Sequence, residues 1–148
     1  MHRTLAASLL LLLHVFGGGC ATVAAEAPPG SLRAAALDGV PRTVFVMAAR
    51  QKPRIVESLA AAGVEVSANL LDAGFVLRVT IGADQGFSSC GTRNNVKYSL
   101  RREGLIELEL VEKGWTGTCE PNVFDALSAR LARALAGGGG PLRAPGES

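Results

Sequence analysis

Cys90 and Cys119 carry the most definite chemistry this sequence offers. They stand 29 positions apart and form no CxxC arrangement, so a structural disulfide is expected in place of a redox-active dithiol. Closing a loop of that length is worth on the order of 3–4 kcal/mol in the chain-entropy picture. Around the two cysteines run Phe87 to Asn95 and Gly114 to Asn122. Together they offer Phe87, Arg93, Asn94 and Trp115 as candidate binding residues, because aromatic and Arg side chains on rigid loops are the usual anchors of recognition. The plainer reading is that Trp115 packs over the disulfide while the Asn and Gly residues satisfy turns.

Other chemistry is missing. The chain has two histidines, His2 and His14, both near its start. Beyond them no His-based metal site, Ser–His–Asp triad or Cys–His dyad can be assembled. No GxxxxGK[ST] loop and no strand–GxGxxG–helix unit occurs, so neither a nucleotide nor any other cofactor is expected. Charge is near balance, with 15 basic and 13 acidic residues and no polybasic run, which argues against nucleic acid as a partner. Catalysis would have to rest on carboxylates alone; with no clustered acids, no catalytic residue is assigned and an enzyme is not expected.

The first residues have the build of a bacterial export signal: Arg3, an apolar run from Leu5 to Phe16, then Gly17-Gly18-Gly19-Cys20. The apolar run, about a dozen residues, is shorter than the roughly 20 that a permanent span requires. Gly19-Cys20 resembles a lipoprotein signal, in which the Cys is lipidated and becomes the new amino terminus; Gly17 departs from the aliphatic residue usual there. That resemblance implies a membrane anchor at Cys20. The alternative is ordinary cleavage after Val23-Ala24-Ala25, which would discard Cys20. The expected organisation is a signal over 1–19, a flexible Ala/Gly/Pro-rich tether over 20–40, one domain over 41–136 and a disordered tail over 137–148.

Within the domain, Thr43 to Met47 is β-branched and aromatic, a central strand. Pro53 suits the first turn of a helix, Ile55, Val56, Leu59 and Ala60 recur at helical spacing with Arg54, Glu57 and Ser58 outward, and Gly63 stops it. Val64-Glu65-Val66 reads as a short strand. Phe75 to Ile81 alternates cleanly, as do Val96 to Arg101 and Ile106 to Val111 across a Glu103-Gly104 turn. Lys97 and Arg101 are expected opposite Glu109 and Glu107. Gly82 to Asn95 and Lys113 to Pro121 read as loops. Asn122 caps a last helix, with Asp125 completing a capping box and Phe124, Leu127, Leu131 and Leu135 forming its apolar stripe.

The order β-α-β-β-β-β-α predicts an α+β two-layer sandwich: a mostly antiparallel sheet of about five strands, with each of two helices covering one face. In a meander of strands 75–81, 96–101 and 105–111, the loops carrying Cys90 and Cys119 open at the same end, so the disulfide is within reach.

From Ile55 to Ile81 the pattern, a helix ending Leu-Ala-Ala-Ala-Gly, then Val-Glu-Val, then Asp-Ala-Gly-Phe-Val-Leu-Arg-Val-Thr, resembles the strand–helix–strand–strand modules of bacterial envelope-assembly proteins. Such modules occur in the lipopolysaccharide-assembly lipoprotein, the curli-secretion lipoproteins and the amino-terminal domain of the Tol-system periplasmic protein. The resemblance implies assembly or adaptor work and transfers no functional residues. The reading is therefore a small non-catalytic binding or assembly module of the envelope, tethered through Cys20 and engaging an envelope protein. The alternative is a secreted periplasmic module for a small molecule or glycan, with Trp115 as stacking platform.

Overall fold

The computed structural model describes residues 32–82, 86–119 and 122–137. Cys20 and the cleavage positions lie outside the described residues, as does the tail beyond Gly137. Among the described residues no helix is long and apolar enough to cross a membrane.

The chain forms α1 (Ala34–Leu37), β1 (Val44–Ala48), α2 (Lys52–Ala61), β2 (Phe75–Ile81), β3 (Phe87–Ser88), β4 (Gly91–Arg102), β5 (Leu105–Trp115) and α3 (Val123–Leu135). This is the expected α+β fold on a five-stranded sheet. β1 and β2 are parallel, joined through α2, while β2, β4 and β5 form the antiparallel meander. The mean order is β1–β2–β4–β5, and β3 pairs with the first residues of β4. Glu103 and Gly104 both have positive φ, 51° and 83°, the combination that matches a two-residue hairpin turn to strand twist.

Period-2 patterning builds the core. Val44, Val46, Phe75, Leu77, Val79, Val96, Tyr98, Leu100, Leu108 and Leu110 all face one side and are buried. Ile55 and Leu59 of α2 and Phe124, Leu127 and Leu131 of α3 pack on that same side in one cluster. Fully burying each such side chain contributes about 1.5–3 kcal/mol. Both helices thus cover a single face, contrary to one helix per face, because β2 and β4 carry a continuous apolar row on that face only, while their other face bears Arg78, Thr80, Lys97 and Ser99. The opposite face is open, with Met47 and Val111 about half exposed and Arg78 and Thr80 exposed.

Several local expectations need correction. Val64 to Val66 makes one parallel bridge, Val66 to Val44, and no strand, because Ser67 and Asn69 divert the chain into a 3₁₀ turn at Leu70–Asp72. The segments read as loops are largely ladder: β4 begins at Gly91 and β5 runs to Trp115. Backbone pairing needs no apolar alternation, so these polar residues gave no strand signal. A bulge between Leu100 and Arg101 shifts the register. Lys97 does reach Glu109 at 3.5 Å, but Glu107 faces Arg102, not Arg101, at 4.0 Å.

Ser58, expected outward, is buried, and Ala60 is exposed. The rotation turns Ser58 toward α3, where its hydroxyl donates to Asp125 Oδ1 at 2.6 Å; Arg54 donates to Asp125 Oδ2 at 3.3 Å. Asp125 therefore ties the two helices together, while Asn122 alone caps α3 by accepting from the Phe124 amide at 2.9 Å. Residues expected as tether also join the fold: Leu32, Leu37 and Val40 pack against the core, and Arg102 donates to the Ala36 carbonyl.

Candidate functional site

Two clefts hold the residues with chemistry to offer, both toward the end of the sheet where β1, β2 and β5 finish and β4 starts. The first surrounds Cys90 and Cys119. Their Cα atoms are 4.9 Å apart, well inside the reach of a disulfide. The meander brings them there: Arg93 pairs with Trp115 in the ladder, and the Thr116 amide donates to the Thr92 carbonyl at 3.0 Å. Gly91, at φ 94°, and Gly117 allow the two backbones to touch, since a Cβ on Gly117 would overlap the Cys90 carbonyl.

Side chains reinforce this end. The Thr116 hydroxyl donates to the Thr92 carbonyl at 3.0 Å and accepts from Asn94 Nδ2 at 3.0 Å. Asn122 Nδ2 donates to the Gly117 carbonyl while its oxygen caps α3. The β3–β4 hairpin is held by the Arg93 amide, which donates to the Gly86 carbonyl at 2.9 Å, and by Cys90, whose amide donates to Ser88 Oγ at 3.0 Å.

The four candidate binding residues consequently divide. Asn94 is buried at 3% exposure and spends its amide on Thr116, so its place is structural. Phe87 is 86% exposed on the two-residue β3, an apolar ring presented to solvent. Arg93 is exposed, and Trp115 is half-buried beside it. Trp115 and Arg93 line a shallow groove of about 250 Å³ with Glu112, Asn122, Val123 and Ala126. An indole edge next to a guanidinium and the start of a capped helix can stack a flat ring or receive a carbonyl-rich strand.

The second cleft is larger, about 720 Å³, and sits where β1 and β2 run out and α2 begins. Arg50, Lys52 and Arg78 line it together with Phe45, Met47 and Thr80. Sequence reasoning missed it because Arg78 joins Met47 only through the parallel register of β1 and β2. The single local clue was the Arg-Gln-Lys run just before Pro53.

Carboxylates show no catalytic grouping among the described residues. Glu57 and Asp125 face Arg54, Glu109 faces Lys97, and Glu112 faces Arg130, each at 3.1–3.5 Å. Tyr98 is strongly perturbed: burial pushes its phenol up to about 12, offset in part by the hydrogen bond with Ser128 and raised further by Asp125. It lies fully inside the core, so that shift belongs to packing and not to a reaction site. Among the described residues no group of three or more His, Cys, Asp or Glu side chains could hold a metal ion.

No known protein family and no curated protein matches the chain. Two solved structures similar to it are both PelC dodecamers from Paraburkholderia phytofirmans. A PelC variant aligns at 16% identity and TM-score 0.41 over 74% of this chain and 94% of its own. A second PelC structure aligns at 13% identity and TM-score 0.35 over 77% of this chain and 91% of its own.

Proposed function

We propose that this chain is an exported, lipid-tethered module of the bacterial envelope that works by binding a protein partner and not by catalysis. The observation carrying the reading is the cystine-linked end of the sheet. There two cysteines at bonding distance, downstream of an export-type leader, fix exposed Phe87 and Arg93 and half-buried Trp115 on one rigid surface. Rigid aromatic and guanidinium groups lose little entropy on docking, which suits them as interface anchors. Among the described residues β5 pairs with no strand but β4, and its end beside the same groove offers backbone donors and acceptors for strand addition. Export supports the disulfide, since such bonds persist in oxidising compartments.

Two experiments test the proposal. Metabolic labelling with a palmitate analogue should mark the wild type and not Cys20→Ala; label surviving that substitution ends the anchor. A photo-crosslinking residue at position 87 should give one stoichiometric adduct in intact envelopes, while the same residue at Glu57 should not. Equal or absent adducts at both positions would remove the docking surface.

The groove beside Trp115 favours a second reading, a glycan or small-molecule module. Saturable quenching of Trp115 fluorescence by an envelope glycan, abolished in Arg93→Ala, would select it over a protein partner.

A further inference from the structure

We infer that the cleft at the ends of β1 and β2 binds a small soluble phosphate ester, independently of the docking surface proposed for the cystine-linked end. Arg50, Lys52 and Arg78 converge on this cleft, and none of its described lining residues is acidic. The carboxylates on the same open face belong to β5, where Glu109 is engaged by Lys97 and by the Ser99 hydroxyl. Three cations gathered with no carboxylate among the described lining residues repel one another, and a bound anion relieves that repulsion.

The backbone adds to the positive field. β1 and β2 are parallel, so both carboxyl ends open here, the position at which parallel sheets receive ligands. The next element, α2, starts at this point with its positive dipole end. Its N-cap, Gln51, makes no side-chain cap bond and stands in the left-handed region at φ 56°, ψ 22°. That conformation costs a non-Gly residue about 1–3 kcal/mol and tends to persist at ligand sites. It sets Arg50 and Lys52 on either side of the helix start.

Shape and the apolar lining decide the kind of anion. A cleft of about 720 Å³ falls in the range of small-molecule sites. Phe45 and half-exposed Met47 form its floor, and Lys52 Nζ lies 5.0 Å above the Phe45 ring. Arg78 sits next to Met47 in register, and Thr80 follows on the same face with a hydroxyl. An inorganic ion would leave that floor unused. A phosphate on an apolar body would engage both the cations and the ring.

The test is a titration of the isotope-labelled, oxidised protein with phenyl phosphate, followed by amide NMR. Saturable shifts confined to residues 50–55 and 78–81 are expected, with affinity falling at least tenfold in Arg78→Gln and in Lys52→Gln. Arg133→Gln, exposed on α3 and outside both clefts, should leave the affinity unchanged. Phenol, which lacks the charge, should not bind. Shifts that never saturate, or that ignore both substitutions, overturn the assignment. So does retention on phosphatidylglycerol vesicles without any response to phenyl phosphate, which would make this face a membrane contact.

Discussion

Breaking the Cys90–Cys119 bond should lower stability by about 3–4 kcal/mol, the loop-closure entropy for cysteines 29 residues apart. For a domain held by roughly 5–15 kcal/mol in all, that is a large share. The structure specifies where the loss falls. Just inside the bond, the Thr116 amide and hydroxyl already hold the Thr92 carbonyl, and Arg93 pairs with Trp115. The native ends are therefore held together without the sulfurs, and the bond acts chiefly on the unfolded chain. Two signatures follow in urea titrations of wild type against the Cys90→Ala, Cys119→Ala double variant. The midpoint should drop at neutral pH, and the slope m should rise, because the uncrosslinked unfolded chain exposes more surface. Amide spectra of the folded variant should retain the β4–β5 ladder. A shift below about 1 kcal/mol, or an unchanged m with a melted ladder, would refute the reasoning.

Three further outcomes are expected. Ser58→Ala should cost about 1–2 kcal/mol by removing the charged hydrogen bond to Asp125, and a double-mutant cycle with Asp125→Ala should return a coupling near 1 kcal/mol; additivity would mean the helices are not tied there. Tyr98 binds its proton more tightly when folded, so its contribution is whole below pH 10 and lost as pH rises toward about 12. Unfolding free energies from urea titrations across that window should fall by roughly 2–3 kcal/mol in the wild type and stay flatter in Tyr98→Phe. Gly117→Ala should lower the thermal midpoint more than Gly104→Ala, since the first drives a Cβ into the Cys90 carbonyl while the second meets open space and only a strained φ.

What the sequence determined by itself was whatever depends on period and local chemistry. The alternation in Phe75–Ile81, the apolar stripe of α3, the Asn122 cap and the Glu103-Gly104 turn each follow from a few adjacent residues. The meander followed from their order, and with it the meeting of Cys90 and Cys119. Tertiary structure alone decided which partner a polar residue takes. Ser58 and Asp125 look like a surface residue and a capping acid until α2 and α3 pack, because burial changes which hydrogen bonds are worth making. Gly91 to Asn95 carry no strand pattern, yet pair because the ladder uses backbone groups that every residue has. Arg50, Lys52 and Arg78 form a cluster only through the parallel register of β1 and β2, a contact between segments that no local periodicity encodes.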